Sequence, residues 1–280
     1  MGSQLVVAGR RRWGVLSGGC VEADIVRQGR AAVAEAAPRH LVYGRGSPFF
    51  DLRLPCGGRL EVLVERIDHT DPAILELLAA GTSRRTVRYL SNGGARCVVL
   101  AGAAVEGVWP VDRVHQPPQR LVVVGDDAFA LAIARAGVLQ GWEVFLLGPQ
   151  GQANGVLPRS VIRPLGVPYA ALAALEPDRW TAVVIASHGD GEADAALASA
   201  LQSSAGYVGA LGSQRRLPAR QARILAMGVP PEGLARLRAP IGLPIGAEGP
   251  REIAVAVVAE IIAHRNGRSR PDASGPEVLP

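Results

Sequence analysis

The chain has 280 residues, 48% of them hydrophobic, and a formal net charge of +5. That is ample apolar material for two domains or one large one, and no apolar run approaches the ~20 residues of a membrane span. All the basic charge is arginine, so a Schiff-base lysine and a Walker-type phosphate loop are excluded, and arginines scattered without interleaved aromatics argue against nucleic-acid binding.

In chain order, residues 12–16 read as a short strand, Ser17-Gly18-Gly19 as a turn, and the stretch from Val21 toward Pro38 as a helix carrying Val21, Ile25, Ala32 and Val33 on its apolar side. Cys20 is thereby expected at a helix N-terminus. Residues 40–43 and 60–67 have strand character around a loop over 44–50, Asp71-Pro72 opens a helix to Ala80, and residues 86–90 and 96–101 form a hairpin about Ser91-Asn92-Gly93-Gly94. His115-Gln116-Pro117-Pro118 is the expected linker, since paired prolines cannot continue a ladder.

Beyond it the pattern becomes βαβ. Residues 121–124, 143–147, 182–186 and 206–211 are strands of a parallel sheet buried on both faces, with a helix over 128–140, an arginine-rich helix ending at Ala226, and a helix over 251–264 opened by Pro250. The fold class is therefore α/β, with a mixed α+β domain over 1–116, a Rossmann-like parallel-sheet domain over 117–265, and a disordered tail over 266–280.

Two cysteines abut glycine pairs, in Ser17-Gly18-Gly19-Cys20-Val21-Glu22 and in Pro55-Cys56-Gly57-Gly58. Glycine pairs bring a thiol close to a ligand without side-chain obstruction, and the pairing suggests sulfur or soft-metal chemistry. The helix dipole favours a Cys20 thiolate while Glu22 and Asp24 oppose it, and Arg53 and Arg59 favour one at Cys56. Ordinary packing is the alternative. No C-x-x-C spacing supports a zinc site, and Cys97 reads as a buried strand residue. The odd cysteine count and the start of the chain suit a reducing cytoplasm.

Gly125-Asp126-Asp127-Ala128-Phe129-Ala130 stands at the strand-to-helix turn of a dinucleotide fold, but Asp127 replaces the second glycine of G-x-G-x-x-G/A and would repel a pyrophosphate. No acid follows the second strand to hold a ribose, so NAD is not the expected cofactor. An NAD(P)-dependent oxidoreductase with a degenerate site is the alternative function. Gly209-Ala210-Leu211-Gly212-Ser213-Gln214-Arg215-Arg216 is the better anion cradle: glycines free the amides, Ser213 can cap the next helix, and Arg215 or Arg216 can close over a phosphate. A plain tight turn is the other reading. His188 follows the third strand at the ligand-binding edge, as a ligand contact, a base or a loop cap, and Asp190 and Asp194 read as helix N-terminal acids.

Together with Ala239-Pro240-Ile241-Gly242-Leu243-Pro244-Ile245-Gly246-Ala247, the two cysteine segments and Tyr207 to Ser213 resemble, in order, the signature segments of the XdhC/CoxI maturation factors of xanthine and carbon monoxide dehydrogenases. The resemblance implies a two-domain, usually dimeric chaperone rather than a catalyst. It implies a protein that binds the molybdenum cofactor as molybdopterin or its dinucleotide form, supports its sulfuration with a cysteine desulfurase, and inserts it into an apo-hydroxylase. On that basis Cys20 and Cys56 are assigned to the metal or its transferable sulfur, with Gly18, Gly19, Gly57 and Gly58 shaping their turns. Gly209, Gly212, Ser213, Arg215, Arg216 and His188 are assigned to the rest of the cofactor. Two departures stand out: the Gly125 turn carries two aspartates, and the amino end starts later than in relatives, so a shortened start is expected.

Overall fold

A computed structural model describes residues 4–47, 54, 57–148, 157–187 and 191–268, and the chain divides into two compact units, Met1–Pro117 and Pro118–Pro280. Among the described residues no helix is long and apolar enough to cross a membrane.

The first unit opens with an antiparallel pair, β1 (Leu5–Ala8) and β2 (Arg11–Gly14). β2 stops short of the expected residue 16 because the amides of Leu16 and Ser17 turn away to the Glu22 carboxylate. Helix α1 (Glu22–Glu35) follows; Ala36 closes it in the left-handed conformation, with its N–H on the Ala32 carbonyl, and Pro38 prevents continuation. β3 (Arg39–Gly44) and β4 (Arg59–Val64) pair antiparallel beneath α1, and Val21, Ile25, Leu41, Tyr43 and Val62 form the small core between them. Tyr43 donates to Asp24 across that core at 2.7 Å, and burial together with Asp24 pushes the phenol well above its ordinary value.

Helix α2 (Pro72–Thr82) begins as its Asp-Pro pair dictates: Asp71 Oδ1 accepts the Ala73 N–H at 2.9 Å. Strands β5 (Val87–Ser91) and β6 (Arg96–Leu100) make the expected hairpin, whose turn is closed by Asn92 Oδ1 accepting from Gly94 and Ala95. A third strand, β7 (Val111–His115), was not foreseen. It pairs with the free edge of β5, so His115 closes a strand opposite Val87 instead of opening the linker.

The second unit is a five-stranded parallel sheet in the order β12-β11-β10-β8-β9, built from β8 (Arg120–Val124), β9 (Glu143–Leu147), β10 (Thr181–Ile185), β11 (Tyr207–Ala210) and the short β12 (Leu237–Arg238). Outside β9, Ile162 exchanges 2.9 Å backbone hydrogen bonds with Val144 and Leu146. The order is thus that of a dinucleotide fold whose third strand has shrunk to one bridge. Alternate strand residues feed two cores. Val122, Val124, Val183, Ile185 and Val208 face α4 (Pro168–Ala174), α5 (Glu192–Gln202) and α6 (Leu217–Ala226), while Leu121, Val123, Ala182, Val184 and Tyr207 face α3 (Ala128–Leu139) and α8 (Pro250–Arg265). A one-turn helix, α7 (Pro231–Leu234), leads into β12. Continuous Val/Ile/Leu/Ala runs in β8 and β10 therefore report burial on both faces, as expected of such strands.

Candidate functional site

The two units carry their candidate residues separately. In the first, the Ser17–Val21 turn is wound around one carboxylate. Glu22 Oε1 accepts from the amides of Leu16 (3.2 Å) and Ser17 (2.7 Å); Oε2 accepts from the Ser17 hydroxyl (2.8 Å) and the amides of Gly19 (2.8 Å) and Val21 (3.3 Å). Burial opposes ionisation of Glu22, but the Ser17 backbone and side-chain donors and those of the neighbouring backbone prevail and lower its pKa from 4.5 to about 2. Gly18 and Gly19 adopt φ of 79° and 121°, which side chains resist, and that geometry leaves Cys20 exposed on the outside of the turn with a free thiol.

This corrects one expectation. Helix α1 begins at Glu22 after Val21, so Cys20 precedes the helix end, and the donors around the turn are aimed at Glu22. In the other cysteine segment, Gly57 donates to the Leu54 carbonyl at 2.9 Å and Gly58 accepts from Arg45 at 3.1 Å. Gly44 lies so close beneath that a Cβ there would stand 2.1 Å from the Gly58 oxygen. Cys56 itself lies outside the described residues, as does His188. Cys97 is a half-buried residue of β6. Among the described residues no group of three or more His, Cys, Asp or Glu could hold a metal ion.

In the second unit the carboxyl ends of the strands hold a cavity of about 630 Å³. One wall is Leu211-Gly212-Ser213 with Arg216, the segment leaving β11; the facing wall is Pro240 to Ala247; Phe129 from the first turn of α3 and Ile253 and Ala256 from α8 close it. Among the described residues Arg216 is its one ionisable lining residue. Arg215 is not among the lining residues, and Gly209 lies beneath, in β11, where a Cβ would meet Ile241 Cδ1 at 2.5 Å. Gly209 therefore makes room for the Ile241 side chain. Ser213 precedes a 3₁₀ turn over Gln214–Arg216 and makes no side-chain cap bond, so the expected cap of the next helix is not made. A shallower groove of about 780 Å³ between α4 and α5 contains none of the expected site residues.

Two buried carboxylates hold the cavity walls, and neither was identified in this role from sequence. Glu260, 4% exposed, accepts on Oε2 from the Tyr207 hydroxyl (2.7 Å) and the Gly242 N–H (2.6 Å), tying β11 to the Pro240–Ala247 segment. That segment is pinned further by Ile241 N–H on the Ala210 carbonyl and Leu243 N–H on the Ala256 carbonyl, each at 3.2 Å. Asp194, 1% exposed, receives Arg220 Nε at 2.8 Å and Arg223 Nε at 2.7 Å, and Arg220 also donates to the Leu211 carbonyl where the opposite wall begins. The sequence signals were there: an acid inside the apolar stripe of α8, and Arg216, Arg220 and Arg223 on one helical face.

At the turn expected to meet a nucleotide, Asp127 caps α3, its Oδ1 accepting from Phe129 (3.0 Å) and Ala130 (2.9 Å). Fold and cavity thus define a two-unit α/β protein with a Rossmann-type sheet, an acid-capped first helix and an arginine-bearing cavity beside β11. Residues 121–261 match the pattern described as the XdhC Rossmann domain, and residues 1–44 that of the XdhC and CoxI family. The chain belongs to the XdhC/CoxI family.

Among relatives, the molybdenum cofactor insertion chaperone PaoD of Escherichia coli is 27% identical over 95% of this chain and 78% of its own. A protein of Bacillus subtilis described as a probable xanthine dehydrogenase subunit is 26% identical over 91% of this chain and 85% of its own. A crystal structure titled as a xanthine dehydrogenase from Bacillus halodurans superposes with a TM-score of 0.69 at 23% identity, covering 95% of this chain and 86% of that one, and shares the fold.

Proposed function

We propose that this chain is a molybdenum cofactor chaperone, which holds the cofactor in the cavity beside β11 and inserts it into an apo-hydroxylase of the xanthine or carbon monoxide dehydrogenase type. The observation that carries the reading is the cavity's composition: among the described residues, two glycine-rich signature segments face each other with a single guanidinium and no acid between them. Arg216, the Ser213 hydroxyl and the Gly212 backbone suit the phosphate of an anionic pterin, and Phe129, Ile241 and Ile253 offer an apolar surface to its ring. When bound, the cofactor supplies the metal chemistry of the enzyme that receives it.

The described lining of the cavity has no soft donor, so the sulfur chemistry is assigned to the first unit, where the Glu22-wound turn presents Cys20 to solvent and Cys56 follows Pro55 in the second cysteine segment. In this reading the protein is a cytoplasmic homodimer, takes sulfur from a cysteine desulfurase, and catalyses no reaction of its own. Nicotinamide dinucleotide is not its ligand, because Asp127 takes the amides that a pyrophosphate needs.

The test is reconstitution. Cofactor-loaded protein is mixed with apo-hydroxylase and desulfurase, and hydroxylase activity and cyanide-labile sulfur are measured. Wild type should restore both, and a Cys20→Ser/Cys56→Ser double variant should restore inserted molybdenum with little labile sulfur. Equal sulfur content with and without the thiols would remove them from the function.

A further inference from the structure

We propose that Asp127 makes the cavity selective for a ligand bearing one phosphate group over a ligand bridged by pyrophosphate. The inference rests on reading this cavity as the cofactor site and narrows it to the monophosphate form of the pterin.

Three observations converge. First, a Rossmann sheet receives a pyrophosphate at the N-terminus of the helix after its first strand, through free amides and a close backbone approach. Here that helix is α3, and one oxygen of Asp127 takes the Phe129 and Ala130 amides, so a second phosphate would meet a carboxylate in place of donors. Second, the glycine that would admit it is missing: Asp127 stands where G-x-G-x-x-G has its second glycine, and Gly125 is the first, which makes the tight turn. A Cβ on Gly125 would stand 3.2 Å from the Ala186 carbonyl carbon and 3.3 Å from Ala130 Cβ, and one on Gly148 would stand 2.9 Å from the Gly125 oxygen. The segments leaving β8, β9 and β10 are therefore packed closely at this turn. Third, Arg216 is the one ionisable residue among the described residues lining the cavity, so one guanidinium is present to hold one phosphate group and no second cation among them lines the cavity for another.

Phe129 links these observations in space. It donates its N–H to Asp127 and also lines the cavity, so the capped helix end and the cavity share a residue. A ligand reaching from the cavity past Phe129 toward the start of α3 meets the Asp127 cap.

The experiment uses the full chain, wild type and Asp127→Ser, with the monophosphate pterin cofactor and its cytosine dinucleotide form as probes, bound cofactor being measured after gel filtration. Serine keeps a capping oxygen and removes the charge, and Asp127→Asn repeats the comparison if the serine variant does not fold. Wild type should bind the monophosphate form at least about tenfold more tightly, and the serine variant should close most of that gap while its affinity for the monophosphate form is unchanged. Equal affinity of wild type for both forms, or an unchanged ratio in the folded variant, overturns the inference and leaves the cavity reading standing. Binding of neither form overturns both.

Discussion

Removing the carboxylate at position 22 should unravel the cysteine turn. Glu22 is 4% exposed and collects donors from Leu16, Ser17, Gly19 and Val21, so Glu22→Gln replaces an acceptor-only group with one whose amide faces N–H donors. The drop of its pKa from 4.5 to about 2 corresponds to ~3 kcal/mol at neutral pH, which solvent access to the turn reduces to ~2 kcal/mol. Counting hydrogen bonds to a charged acceptor gives the same order, ~2–3 kcal/mol once exposed amides recover water.

The sign follows from the depressed pKa: the contribution is fully present above pH 4.5 and is lost as the pH falls toward 2. Hydrogen exchange of the Ser17, Gly19 and Val21 amides at pH 7 reads the turn directly. Exchange in Glu22→Gln should be faster by ~30-fold, consistent with ~2 kcal/mol, and wild type should lose protection at those amides between pH 4.5 and 2. Unchanged exchange in the variant, or protection in wild type that does not respond to acid, would refute a carboxylate-held turn.

Three further outcomes follow from the walls of the cavity. Glu260→Ala removes the buried acceptor shared by the Tyr207 hydroxyl and the Gly242 N–H and should cost ~2–4 kcal/mol in urea unfolding, with Glu260→Gln recovering about half. Gly242→Ala puts a Cβ 3.1 Å from Ala256 Cβ at φ +99° and should cost ~1–3 kcal/mol, together with a loss of cofactor affinity, because the strained residue lines the cavity. Asp194→Asn leaves Arg220 buried beside a neutral amide and should destabilise the second unit by ~3 kcal/mol, seen as a lower thermal midpoint.

Most of the second unit was legible because its strands are continuous apolar runs and its last helix carries its own start signal, Pro250, whereas Asp127 was read against a nucleotide and its capping of α3 shows only in the fold. β7 was not legible: Val111, Arg113 and His115 alternate with exposed residues, but the prolines just beyond drew His115 into the expected linker. β12, α7 and the Ile162 bridge are too short for a periodicity to show. In the site, the glycine-arginine segment and the Pro240–Ala247 segment were visible as motifs, whereas their meeting in one cavity depends on sheet order. Glu22 was read as an acid opposing a thiolate, since nothing in a linear chain shows that five donors converge on it.

The central claim is that the cavity beside β11 binds an anionic pterin through Arg216. The most direct measurement is molybdenum and pterin content per chain for wild type and Arg216→Ala after loading with the monophosphate cofactor and gel filtration. Close to one equivalent of each is expected on wild type, and at least about a tenfold loss of affinity in the variant, with unfolding unchanged. Equal loading of both proteins would contradict it.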